Sequence, residues 1–345
     1  MKTALITGVN GQDGSYLAEY LLNLGYKVHG IMRRWSTPIL GRLSGIQDNE
    51  RFCVHECDIT DSGGIFSIIK ETRPHEIYNL AAQSFVGHSF QNPSYTSQVD
   101  GLGVLNVLEG IRLNGLEQNT KFYQASTSEL YGKVQESPQN EETVFRPRSP
   151  YAIAKLYAYW LTVNYRESYG IHASNGILFN HESPRRGREF VSQKICQGVV
   201  KCLKNGKPIL LGNLDSKRDW GHARDYVEAM HKIVQYKKPL DLVIATGKTY
   251  SVRDLCILAF KYNGIDIEFT GKGMQEFAIV KNIDPFTNTV ISLGDTVIEV
   301  SEKFYRPADV EQLLGDPTKA KKILNWEAKT SFEALIKEMV EACKV

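Results

Sequence analysis

Short apolar runs alternate with amphipathic stretches over the first half of the chain. Residues 2–7 hold a short apolar run, the pattern of a strand buried in a parallel sheet. Beyond residues 8–14, helical spacing sets in with Tyr16, Leu17, Tyr20, Leu21 and Leu24. Further strands are expected over 26–32, 51–57, 76–80, 121–125 and 171–179, with a long helix over about 93–114 and another starting at Pro150. Strands and helices in this order predict an α/β fold built on a doubly wound parallel sheet.

The pattern changes after Phe179. Residues 180–187 form a polar, cationic stretch expected as a loop, followed by a helix of about 190–204. Residues 217–222 are expected to open another helix, and 241–246 to return as a strand to the main sheet. Ser251 is placed to N-cap a helix through Tyr262. The alternating run 289–300 suggests a hairpin or mixed sheet, and helices are expected from Thr318 and over 331–343. These elements predict a smaller α/β lobe interleaved with the first. Residues 1–178, with about 221–248 returning to them, would be the cofactor-binding domain, and 179–345 mostly the substrate lobe.

Composition narrows the function classes. A net charge of +2, with both signs spread throughout, gives no support for a nucleic-acid or membrane-surface role. No apolar run approaches the ~20 residues of a membrane span, and the N-terminus enters a strand directly, leaving no room for a signal peptide. Six scattered cysteines fit a reducing cytoplasm better than a disulfide framework. Cys53, His55 and Cys57 would share one strand face, but no fourth ligand has matching spacing; packing is the expected role, and no metal is assigned.

Glycines at 8, 11 and 14 form G-x-x-G-x-x-G between the first strand and first helix, a variant of the dinucleotide fingerprint. Such glycines permit a tight turn and close approach to a pyrophosphate, which the N-terminus of the helix then stabilises. The second strand ends at Arg33-Arg34 rather than at an acidic residue, favouring the 2′-phosphate of NADP over the ribose hydroxyls of NAD. Asp58 ends the third strand, placed to accept from the adenine amino group, and Ala81-Ala82-Gln83-Ser84 after the fourth would let the backbone approach the cofactor.

Ser126-Thr127-Ser128-Glu129 lies at a strand's carboxyl end, where chemistry belongs in such sheets. Tyr151 and Lys155 sit four residues apart on one helix face. A phenol of ordinary pKa ~10 must be lowered by about 4 kcal/mol to serve as a base near neutrality. Lys155 is placed to supply part of that, and a cationic cofactor ring more. The pair alone specifies no more than hydride chemistry on an alcohol, because Y-x-x-x-K arises easily by chance.

Longer blocks carry more: Ile6-Thr7-Gly8 and Gly14-Ser15-Tyr16-Leu17-Ala18-Glu19, residues 122–132 (FYQASTSELYG), residues 178–187 (LFNHESPRRG) and residues 217–222 (KRDWGH). Through them the chain resembles, over essentially its whole length, the extended short-chain dehydrogenase/reductase family with its Rossmann sheet, and within it the GDP-sugar 4,6-dehydratases. The resemblance implies an NADP-dependent hydro-lyase that converts GDP-mannose into GDP-4-keto-6-deoxymannose and water.

In that scheme Tyr151 takes the C4 hydroxyl proton with Thr127 bonded to the same oxygen, and hydride leaves C4 for NADP⁺. Lys155 holds the nicotinamide ribose. Glu129 removes the C5 proton as the C6 hydroxyl departs, hydride returns to C6, and Glu129 reprotonates C5. Ser128 is near enough in sequence to assist the departing hydroxyl.

The resemblance also implies a cofactor set of Gly8, Asn10, Gly11, Gln12, Asp13, Gly14, Arg33, Arg34, Asp58, Ile59, Leu80, Ala81, Ala82, Gln83, Ser84, Tyr95, His181 and Arg186. Ser84, Ser128, Glu129, Asn180, Lys194, Arg218 and Arg306 would surround the nucleotide-sugar, and assembly would be a homodimer or homotetramer.

Two segments depart from the family pattern. Residues 35–42 replace a Ser- and Asn-containing loop that helps build the family's tetramer and cofactor site, and residues 83–88 carry Gly87 where a side chain is usual. Less bulk at Gly87 raises the alternative of a GDP-manno-heptose substrate. A sugar epimerase or reductase would keep Tyr151 and Lys155 with less use for Glu129, and a non-catalytic NADP-binding sensor would need none of the set.

Overall fold

The computed structural model describes residues 1–34, 41–304 and 312–344. Arg306 and most of the divergent 35–42 loop therefore lie outside the described residues.

The apolar runs become strands β1 (Thr3–Thr7), β2 (Lys27–Met32), β3 (Phe52–Glu56), β4 (Glu76–Asn79), β5 (Lys121–Thr127) and β6 (His172–Leu178). All pair in parallel in the order β6-β5-β4-β1-β2-β3, and the strand Asp241–Ile244 adds beside β6. Side chains of β1, β4 and β5 are almost wholly buried, which is why their sequences show no alternation. One face packs on the helices Gln12–Asn23 (α1) and Ala223–Gln235. The other carries Ser62–Thr72 (α2), Gly103–Leu113 and Pro150–Tyr169. The added strand is tied in by Asp241, whose carboxylate accepts from Arg166 at 2.9 and 2.8 Å and from the Asn175 N–H at 3.0 Å.

The second lobe has a core of its own around a four-stranded mixed sheet: Ile265–Thr270, Phe277–Ile283, Thr296–Val300 and Ile209–Leu211. Only the last five residues of the alternating run 289–300 form a strand. Ser251 caps its helix as expected, in a reciprocal box with Asp254.

Three expectations are corrected. Residues 93–114 are not one regular helix; Gln98–Leu102 is a π-helical turn between Pro93–Ser97 and Gly103–Leu113. Gly101 lets that turn press on Tyr157 of Pro150–Tyr169, since a Cβ there would come within 3.3 Å of the ring. The expected loop 180–187 begins with a strand, Asn180–Glu182, paired in parallel with Trp220–His222. Residues 217–222 are accordingly strand rather than helix, and the helix starts at Ala223 with the His222 ring accepting from the Arg224 N–H at 2.9 Å.

All six cysteines are free, and Cys196, Cys202 and Cys256 are buried. Cys53, however, is exposed rather than packed, because β3 is the outermost strand of its sheet.

Candidate functional site

A cavity of about 1470 Å³ opens over the carboxyl ends of β1, β4 and β5 and continues to the second lobe. Its floor is the glycine turn. Gly8 has φ +69°, and a Cβ on it would lie 2.9 Å from the Ala81 backbone. A Cβ on Gly14 would lie 2.4 Å from the Gly8 carbonyl oxygen. The Thr7 hydroxyl donates to Asn79 at 2.7 Å and accepts from the Leu80 and Ala81 N–H groups at 3.0 Å, pinning the β4 loop against the turn. α1 then begins at Gln12 with no side chain capping it, so its first N–H groups face the cavity.

Gln12, Asp13 and His181 lock the two lobes together at this turn. The Gln12 amide donates to the His181 carbonyl at 3.0 Å, and the Ser183 hydroxyl donates to Gln12 at 2.8 Å. His181 Nε2 lies 2.8 Å from the Asp13 carboxylate, with its ring stacked on Tyr226. Burial works against both charges, but their mutual attraction and hydrogen bond outweigh it: the Asp13 carboxyl is held below its ordinary range and His181 above.

Tyr151 and Lys155 enter from the first turns of Pro150–Tyr169, whose Ser149 N-cap accepts from the Ala152 N–H at 3.1 Å. Both side chains are buried, and the Lys155 ammonium donates to the Ala125 carbonyl at 3.1 Å. Opposite them β5 ends in Thr127, and a 3₁₀ turn, Ser128–Leu130, carries Glu129. The Glu129 N–H donates to the Thr127 hydroxyl at 3.2 Å, fixing the turn.

The expected lowering of the Tyr151 phenol is not achieved by the chain alone. Burial pushes the phenol up, reinforced by Asp100 and Glu129, while the Thr127 hydroxyl and Arg186 pull the other way. Burial likewise pushes the Lys155 ammonium down, opposed by Asp100 and Asp13. Asp100 is the group that sequence reasoning missed. It projects inward from the π-helical turn, 1% exposed, and accepts from the Gln83 N–H at 2.7 Å, while its second carboxylate oxygen has no hydrogen-bond partner. Burial lifts its pKa to about 7 against the pull of Lys155. Its signal in the sequence is a lone acid inside the otherwise apolar face of Val99, Val104, Val107 and Leu108.

At the far end the lining is cationic. Arg218, buried, donates to the Lys217 carbonyl at 2.9 Å. Lys194 lies 3.1 Å above the Phe304 ring, its pKa brought down to about 8 by burial and then by Lys303. Lys303 and Phe304 line the cavity and were not anticipated. Arg186 pairs with Glu182 at 2.9 Å and stacks on Phe190.

Nearly every expected residue lines this one cavity, including Asn10, Gly11, Asp58, Ile59, Ala82, Ser84, Ser128 and Asn180. Arg33 does so beside Tyr95, to whose hydroxyl it donates. Arg34 does not: it is exposed, 3.9 Å from Glu56, because it points outward where its neighbour points in.

A family model described as GDP-mannose 4,6 dehydratase matches residues 5–339. A GDP-mannose 4,6-dehydratase of Yersinia enterocolitica is 54% identical over 346 residues, spanning 99% of this chain and 93% of that protein. One from Homo sapiens is 51% identical over 346 residues, spanning 98% and 90%. Among solved structures, a dTDP-glucose 4,6-dehydratase from Bacillus anthracis in complex with NAD superposes with TM-score 0.80 at 20% identity, covering 100% of this chain and 97% of that one. A UDP-glucose 4-epimerase from Thermotoga maritima with UDP-glucose gives 0.81 at 24% identity, covering 99% and 98%. At these identities the two structures speak for the fold.

Proposed function

The chain belongs to the GDP-mannose 4,6-dehydratase family, and from that premise we propose that it removes water from GDP-mannose to give GDP-4-keto-6-deoxymannose, with NADP as its resident cofactor. The observation that carries the reading is one cavity joining the glycine turn, the Tyr151–Lys155–Glu129 constellation and a cationic end at Lys194 and Arg218.

The residues present fit a dinucleotide. A glycine turn too tight for any Cβ at Gly14, running into an uncapped helix N-terminus, suits a diphosphate. Arg33 suits a 2′-phosphate, which favours NADP over NAD, and Asp58 and Ile59 would border the adenine. Bound there, the oxidised cofactor supplies a positive ring beside Tyr151 and a hydride acceptor and donor for C4 and C6. Lys155 would hold its ribose, and the Asp13–His181 pair keeps the two lobes in register around it.

The chain's own groups move the protons. Tyr151 takes the C4 hydroxyl proton, with Thr127 bonded to the same oxygen. The 4-keto group that results acidifies C5–H, and Glu129 takes that proton as the C6 hydroxyl leaves as water; Ser128, its buried neighbour in sequence, would bond the departing oxygen. Two protons are released, from O4 and C5, and two are consumed, in water and back at C5, so the reaction closes without net redox. Lys194, Arg218 and Arg306 would neutralise the GDP diphosphate, with Asn180 and Ser84 bordering the sugar.

Incubating enzyme loaded with NADP or NAD with GDP-mannose, GDP-manno-heptose and UDP-glucose, and weighing the products, tests this. Loss of one water from GDP-mannose with the NADP-loaded form is expected. Preferential loss from the heptose would move the substrate, faster turnover with NAD would reverse the cofactor assignment, and an epimerised or unchanged sugar would remove the dehydratase reading. Glu129 in the cavity favours dehydration over epimerisation, and the names of the relatives favour mannose over the heptose, although a Cβ at Gly87 would meet no atom nearer than the Phe85 ring at 3.4 Å.

A homo-oligomer is part of the same proposal. Ile153, Tyr157 and Trp160 recur at helical spacing on Pro150–Tyr169 and are 58%, 46% and 56% exposed, an apolar stripe beside the active-site helix face. Trp160→Glu should reduce the mass measured by size exclusion with light scattering to that of one chain; an unchanged oligomeric mass would place the interface elsewhere.

A further inference from the structure

Outside the cavity, along the outer strands, β2 and β3 bring three metal-ligating side chains together. His29 and Cys53 are register partners across the parallel pair, and His55 follows two residues along β3 on the same face. The Nδ1 of His29 lies 2.8 Å from the Nε2 of His55, and with the Cys53 sulfur these ligand atoms all lie within 4.8 Å of one another. None of the three lines the cavity. We propose that His29, Cys53 and His55 form a binding site for a zinc-class divalent ion.

The donor set matches that class: two imidazoles and one thiolate suit zinc and its neighbours, and exclude magnesium and calcium, which take oxygen. With Zn–N of about 2.0–2.1 Å and Zn–S of about 2.3 Å, tetrahedral ligand atoms stand roughly 3.3–3.6 Å apart. The two nitrogens must therefore separate slightly and the thiol swing inward. Cys53 has that freedom because it is exposed, whereas His29, 7% exposed, is already held by the sheet. Cys57, next on the same face, is turned away, its sulfur donating to the Asp58 carbonyl at 3.3 Å. The fourth position falls to water, as in three-ligand zinc sites. Glu71, from α2 packed over this face, and Lys27 of β2 are the charges facing the rings.

Sequence spacing alone pointed to Cys53, His55 and Cys57. The sheet register replaces Cys57 by His29, a residue more than twenty positions away. An ion here would clamp β2 to β3, the two strands whose carboxyl ends lead into Arg33 and Asp58.

Cobalt(II) reports on such a site directly. Titrating chelator-treated, reduced full-length protein with Co²⁺ should show one equivalent bound, tetrahedral visible bands and a near-ultraviolet thiolate-to-cobalt absorption. Zn²⁺ should displace the ion and abolish the spectrum. Cys53→Ser should lose the thiolate band and weaken binding by at least about tenfold, since even outer-sphere partners are worth that much. Cys343→Ser, a control at the half-buried thiol of the second lobe, should change neither. Absence of stoichiometric binding would leave the two histidines as a simple hydrogen-bonded pair and overturn the proposal. So would a thiolate band that survives in Cys53→Ser.

Discussion

Glu129→Gln is expected to lower formation of the 6-deoxy-4-keto product by about 10²–10⁴-fold, the range that a positioned acid–base group supplies. Oxidation at C4 should persist, because the substitution leaves Tyr151, Thr127 and Lys155 in place. Glutamine keeps the size of the side chain, and the 3₁₀ turn is fixed through the backbone N–H of residue 129, so the site's shape should survive. What is lost is an oxygen that can accept the C5 proton. Mixing the variant with GDP-mannose in a single turnover should give a rise in reduced-nicotinamide absorbance that does not decay, with no mass loss of water in the sugar. Full product formation at the wild-type rate would remove Glu129 from the mechanism.

Tyr151→Phe should abolish both phases, by about 10²–10⁴-fold at the oxidation step. The ring stays in its buried slot, so thermal stability should change little, whereas the group proposed to accept the O4 proton is gone. A distinguishing sign lies in the pH profile. Burial and the carboxylates of Asp100 and Glu129 hold the phenol above its ordinary range, so the wild-type oxidation rate should rise with pH as the phenolate fraction grows. In Tyr151→Phe that limb should flatten. A variant with near-normal turnover, or with the same pH limb, would assign the base elsewhere.

The main sheet could be read from the chain because its central strands are short apolar runs, and burial on both faces needs no partner information. Pro150 as a helix start, Ser251 as a cap and the glycine turn were equally legible, since caps and turns depend on residues within a few positions. Elements that depend on a distant partner were not. Asn180–Glu182 is three residues long and exists as a strand because Trp220–His222 lies beside it. The strands Ile265–Thr270 and Phe277–Ile283 bury one side, and no element was expected over them. The π-helical turn hides inside a normal helical pattern, announced by Asp100 alone. Most of the cavity-lining residues were visible because they sit in blocks of local sequence, but the electrostatics were not: spacing suggested that Lys155 would supply part of a lowering of the Tyr151 phenol, and burial raises it instead.

The strand Asp241–Ile244 has a consequence for how the protein is made. When a ribosome has released residues 1–178, six parallel strands are available and the outer edge of β6 has no neighbour. An unpaired, buried-type strand is a template for pairing with another chain. The strand that covers it, and Asp241 that anchors it to Arg166, emerge only after the first elements of the second lobe. Nascent chains stalled between these points are thus the form in which this enzyme is most open to aggregation, and the stretch over which a chaperone would have most to do.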